Sequence, residues 1–86
     1  MEKILTLHPT GKSGKNISKE KYDVVREAIV GSLPEPIRFD QFFELVKPKL
    51  TGFEGSITWY VETVKLDLEA RGIVEHNRST RMIRKI

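Results

Sequence analysis

The chain has no cysteine, which removes a disulfide framework, a thiolate zinc site and a cysteine nucleophile together. His8 and His76 are its only histidines, and nothing places either beside a carboxylate pair at ligand spacing. A metal site needs three or four convergent ligands, so no metal is expected. Long apolar runs are missing too: no stretch approaches the roughly 20 residues that span a bilayer. The opening Glu2-Lys3-Ile4-Leu5-Thr6-Leu7 soon meets His8 and Pro9 and lacks the apolar centre of a secretory signal. The expectation is a cytoplasmic protein with no membrane partner. Large size is the last thing lacking. Eighty-six residues make one domain and leave little room for a broad substrate cleft or a two-domain cofactor fold, so no cofactor is expected either.

What is present suits a soluble globular domain: 38% hydrophobic and 31% charged residues, with a net charge of +3. The charge is unevenly placed. Residues 1–21 carry +3, residues 22–51 carry −1, residues 52–72 carry −2 and residues 73–86 carry +3. Both ends are therefore basic around a mildly acidic middle, a pattern that suits either a solvated surface or an anionic partner.

The periodicity predicts three helices and a hairpin. Ile4, Leu5 and Leu7 form a short strand or packed arm, and His8 to Asn16 is a loop broken by Pro9, Gly11 and Gly14. Ser18 caps a first helix whose stripe is Tyr22, Val25, Ile29 and Leu33. After Pro34-Glu35-Pro36, Ile37-Arg38-Phe39 supplies one strand rung. Asp40 caps a second helix from Gln41, with Pro48 bending or ending it. Ser56 caps a third helix that ends at Gly72, its core face being Ile57, Val61, Val64 and Leu68. Ile73 to His76 and Thr80 to Ile86 then form a hairpin, the last strand lying at an edge because neither of its faces is cleanly apolar. The organisation is an N-terminal arm and Gly/Lys loop at 1–17, then a domain at 18–86. The fold class is α+β, and helix, strand, helix, helix, hairpin is the order of the winged helix-turn-helix.

Two segments carry a resemblance. One is Leu7-His8-Pro9-Thr10-Gly11-Lys12-Ser13-Gly14-Lys15-Asn16-Ile17, followed by Lys21-Tyr22. The other is Phe53-Glu54-Gly55-Ser56-Ile57-Thr58-Trp59-Tyr60-Val61, running into Val64-Lys65-Leu66-Asp67-Leu68-Glu69-Ala70-Arg71-Gly72. Together they resemble a family of small bacterial proteins of no established activity. The second also looks like the end of the third helix and first wing strand of many bacterial winged-helix regulators. The resemblance implies a winged-helix-like fold and transfers no catalytic or binding residue.

Gly11-Lys12-Ser13 ends like a phosphate-binding loop, but that motif needs a glycine where this chain has Thr6, and a parallel sheet it cannot build. No nucleotide cofactor is expected. Asp67 and Glu69, two apart on a helix, point to different sides and cannot work as an acid–base pair. Ser13, Ser32, Ser56 and Ser79 have no nucleophile context, so the chain reads as a non-enzyme.

Binding remains. If the third helix buries its core stripe, Thr58, Glu62, Lys65 and Glu69 form one exposed strip, with Thr58 and Lys65 as groove-facing candidates. Trp59, Thr63, Leu66 and Ala70 form another. Trp59 either packs under the N-terminal arm or, with Leu66 and Ala70, offers an interface to a protein partner or a second subunit. The phosphate-contact candidates are Arg78, Arg81, Arg84 and Lys85 in the hairpin and Lys12 and Lys15 in the loop. Two functions follow. One is a DNA-binding, transcription-regulator-like module; the other is a protein-interaction or homodimerisation module on the same scaffold.

Overall fold

The computed structural model describes residues 2–12 and 14–86. Met1 lies outside that range, as does Ser13, the last residue of the Gly-Lys-Ser tripeptide. The chain is α+β, and the described residues form three helices and two small antiparallel sheets. Strands β1 (Lys3–Leu5) and β2 (Asn16–Ser18) form an N-terminal hairpin, with Ile4 opposite Ile17. Helix α1 (Lys19–Gly31), strand β3 (Ile37–Arg38), helix α2 (Phe39–Lys49) and helix α3 (Ile57–Ala70) follow. Strands β4 (Val74–Asn77) and β5 (Met82–Lys85) close the chain.

Local chemistry sets the helix ends. Ser18 accepts from the Lys21 amide at the start of α1, and Ser56 accepts from the Trp59 amide at the start of α3. At the far end of α3, the Ile73 amide donates to the Leu68 carbonyl at 2.9 Å and the Gly72 amide to the Glu69 carbonyl at 3.1 Å. This is the Schellman arrangement, and Gly72 takes the φ of 75° that it requires. Helix α2 differs from expectation. It begins at Phe39 with Arg38 as N-cap and no side-chain cap bond, so Asp40 sits inside the first turn instead of capping it. The Phe39 amide is already engaged, donating to the Arg81 carbonyl at 2.9 Å, and this ties the helix start to the hairpin. Pro48 stands one residue before the end of α2, as its missing amide demands.

Most of the expected core is buried: Tyr22, Val25 and Ile29 from α1, Leu33 just after it, Phe42 and Val46 from α2, and Val61, Val64 and Leu68 from α3, whereas Ile57 is half-buried and Leu45 is 49% exposed. The larger sheet runs β3–β5–β4, with Ile37 opposite Ile83 and His76 opposite Ile83 on the other side. Strand β5 is therefore central, not an edge. A single residue, Ile83, fully buried, anchors its inner face, while Arg84 and Lys85 extend into solvent. One anchor in four residues is too short a pattern to read as alternation.

The N-terminal segment is more than an arm. The loop between β1 and β2 folds back on buried Thr6, whose amide donates to the Lys15 carbonyl and whose hydroxyl accepts from the Lys15 amide, each at 2.8 Å. A Cβ on Gly14 would lie 1.5 Å from the Thr6 carbonyl oxygen, so only glycine fits there.

Candidate functional surfaces and two buried polar clusters

Helix α3 passes between the two hairpins, and its polar residues face both. On the N-terminal flank, Asp67 is fully buried. It accepts from the Leu7 amide at 2.8 Å, from the Arg71 Nε at 2.9 Å and from the Tyr22 hydroxyl. One carboxylate thus joins β1's trailing segment, α1 and the end of α3. The nearby carboxylate and burial push the Tyr22 phenol up to about 12, burial being the larger cause. The hydrogen bond from its own Nε to Asp67 raises Arg71.

On the other flank, Lys65 is buried, 1% exposed. Its ammonium lies 3.2 Å from a Glu69 oxygen, 3.8 Å from Glu62 and 4.9 Å from the centre of the Phe39 ring. It also lies 3.1 Å from His76 Nδ1. An ammonium has only donors, so Nδ1 accepts and the ring proton sits on Nε2. The His76 ring stacks on Phe39 at 4.5 Å between centroids. Burial first, then the charges of Lys65 and Arg78, holds His76 below the ordinary imidazole value, which leaves it neutral at pH 7.

These placements correct part of the expected binding strip. Lys65 does not face a groove; with Glu69 it forms a cluster under the C-terminal hairpin, and of the four strip residues Thr58 and Glu62 are the exposed ones. The physical reason is the hairpin itself, which covers a helix flank that a lone α3 would leave wet. Arg78 is exposed and lies 3.5 Å from Glu69. Arg84 pairs across the ladder with Glu75 at 2.9 Å. Lys85, Arg81, Lys12 and Lys15 are exposed. Lys12 and Lys15 belong to the N-terminal hairpin, where Lys12 lines a surface hollow with Ala70 at the end of α3.

Trp59 is 41% exposed, its ring edge-to-face with Tyr60 at 4.9 Å. Thr63 and Leu66 are half-buried and Ala70 is exposed. Leu7 and Leu5, 44% and 62% exposed, extend the apolar surface onto the N-terminal hairpin. His8 is used locally, bonded to the Thr10 hydroxyl. Among the described residues no group of three or more histidines and carboxylates could hold a metal ion, and no helix is long and apolar enough to cross a membrane.

A family model described as a family of unknown function, DUF6958, matches residues 3–84. The chain belongs to that family. The DUF6958 match runs from the first residue of β1 into β5 and so takes in both hairpins and both buried clusters. No curated protein and no solved structure gives a significant match.

The sequence did not disclose the Asp67 and Lys65 clusters, although it held a signal for them. Lys65, Asp67, Glu69 and Arg71 alternate along a helix whose core face is Val61, Val64 and Leu68, placing charge on both borders of the apolar stripe. Where structure wraps both borders, those charges must be paired. Tyr22, inside a core stripe, equally demanded a partner for its hydroxyl.

Proposed function

We propose that this chain is a non-enzymatic winged-helix module that pairs with a second copy of itself through the outward strip of α3. The sheet order β3–β5–β4, with β3 between the first two helices, supports the winged-helix assignment. The observation that carries the functional reading is the burial of Lys65. With that cation withdrawn, the outward side of α3 offers Thr58, Trp59, Glu62, Leu66 and Ala70, and bases in a major groove are read mostly by Arg, Lys, Asn and Gln. A surface of this composition suits protein. Its spacing suits a two-fold axis: in an antiparallel pairing, Trp59 of one copy meets Ala70 of the other, and Thr63 meets Leu66. The large ring lies over the smallest side chain, the complementarity an isologous interface needs.

Sedimentation equilibrium tests this. The wild-type chain should sediment as a dimer at micromolar concentration. Ala70→Glu, at an exposed position, should give a folded monomer, as should Trp59→Ala. A wild-type monomer at 100 μM would refute the reading.

DNA binding is the second reading, favoured by the exposed cations Arg81 and Lys85 on the wing and Lys12 and Lys15 in the loop. It predicts binding to a random duplex that weakens steeply with salt and is lost in Arg78→Glu/Arg81→Glu. A duplex titration by NMR at two salt concentrations decides it, since shifts confined to exposed lysines would mean non-specific attraction alone.

A further inference from the structure

Below the C-terminal hairpin, where β3 turns into α2, lies a hollow of about 230 Å³ lined by Arg38, Phe39, Asp40, His76 and Arg81. We propose that it binds a phosphate-class oxyanion between Arg38 and Arg81, with His76 as a hydrogen-bond donor. The site is independent of the α3 strip and of the dimer it is proposed to form.

Three features point to this ligand. Arg38 and Arg81 against Asp40 leave the lining one positive charge in excess. The Arg38–Asp40 pair is loose, at 3.5 Å with side chains 58% and 73% exposed, so an incoming oxyanion meets little competition for the guanidinium. Second, the Lys65 ammonium occupies His76 Nδ1, so the neutral ring presents its proton from Nε2. A neutral donor beside two guanidinium groups is suited to an oxygen acceptor and not to a metal. Third, Arg81 is the one non-glycine among the described residues with a left-handed backbone, φ 59°, held there by the bond from the Phe39 amide to its carbonyl. Glycine would sit there without strain, so an arginine at that position spends conformational freedom to place a guanidinium. The volume is below the roughly 300–1,000 Å³ typical of sites for drug-sized ligands, which limits the occupant to the oxyanion and a short substituent.

The test is an amide-resolved NMR titration of the full chain with inorganic phosphate and, separately, glycerol phosphate, at ionic strength held constant with sodium chloride. Saturable shifts at Phe39, His76 and Arg81 are expected, with Arg81→Gly and Arg38→Gln each weakening binding at least tenfold. Arg81→Gly relaxes the left-handed backbone, so its melting temperature should be equal to or above wild type, and lost binding then reports the lost guanidinium. Ala70→Glu, which is not among the residues lining the hollow, should bind as wild type does whether or not a dimer forms. Tighter binding of glycerol phosphate identifies a phosphomonoester ligand, and equal binding identifies free phosphate. Shifts that chloride reproduces, unchanged binding by Arg81→Gly, or shifts at these residues with a short DNA duplex but not with either phosphate would overturn the proposal.

Discussion

Replacing Asp67 by alanine should be among the most damaging single polar substitutions in this chain. Three donors converge on the carboxylate, and the loss is unequal among them. Arg71, whose side chain is 37% exposed, can turn to water and loses little. The Tyr22 hydroxyl cannot, because Tyr22 is 5% exposed and lies in the core stripe. The Leu7 amide is part-buried and loses its only acceptor on α3. Each buried donor left unpaired costs about 1–3 kcal/mol, so Asp67→Ala should destabilise by about 3–4 kcal/mol. A domain of this size is stable by roughly 4–13 kcal/mol in all. In urea, with a slope of about 1 kcal/mol/M, the midpoint should fall by about 3 M. Asp67→Asn keeps an acceptor for one neutral donor and should lose about half as much. A cycle with Tyr22→Phe should show a coupling of about 1–2 kcal/mol, and hydrogen exchange at Leu7 should quicken in Asp67→Ala beyond the change in global stability. A loss below about 1 kcal/mol, or strict additivity with Tyr22→Phe, would show that the carboxylate does not hold the N-terminal hairpin to α1 and α3.

Stability should also fall at alkaline pH through Tyr22. Its folded value of about 12 exceeds the free value of 10.0, so the contribution is complete below pH 10 and is lost as pH rises through 12. Two units correspond to roughly 2–3 kcal/mol, and Tyr22→Phe should flatten the urea-midpoint profile over that window. Lys65→Met should cost about 1–3 kcal/mol, because it leaves the half-buried Glu69 carboxylate with Arg78, at 3.5 Å, as its remaining partner, whereas Lys65→Met with Glu69→Leu should recover most of the loss; calorimetry of both variants checks it. Gly14→Ala forces a Cβ into the Thr6 carbonyl, and amide exchange across β1 and β2 should rise to the unprotected rate while that in α2 keeps its protection. His76, held below its ordinary value, should make the fold less stable as pH drops below 6.5, an acid dependence that His76→Gln removes.

Much of this protein is decided along the chain itself. The serines at 18 and 56, the glycine at 72, the proline at 48 and the stripes led by Tyr22, Phe42 and Val61 specify three helices, because caps, breakers and 3.6-residue periodicity act within a few residues of one another. Its lack of cysteine and its shortage of histidine are settled there too, and they narrow the chemistry before any fold is known. What tertiary structure alone decided is which charges reach solvent. Lys65, an ordinary exposed residue on an isolated helical wheel, is buried because β4 lies over its flank of α3. Asp67 is buried because the N-terminal hairpin lies over the other. Strand β5 is central because β3, more than 40 residues earlier in the chain, pairs with it. Pairings between residues so far apart are set by how whole elements pack, and it is they that sealed the one lysine of α3 inside.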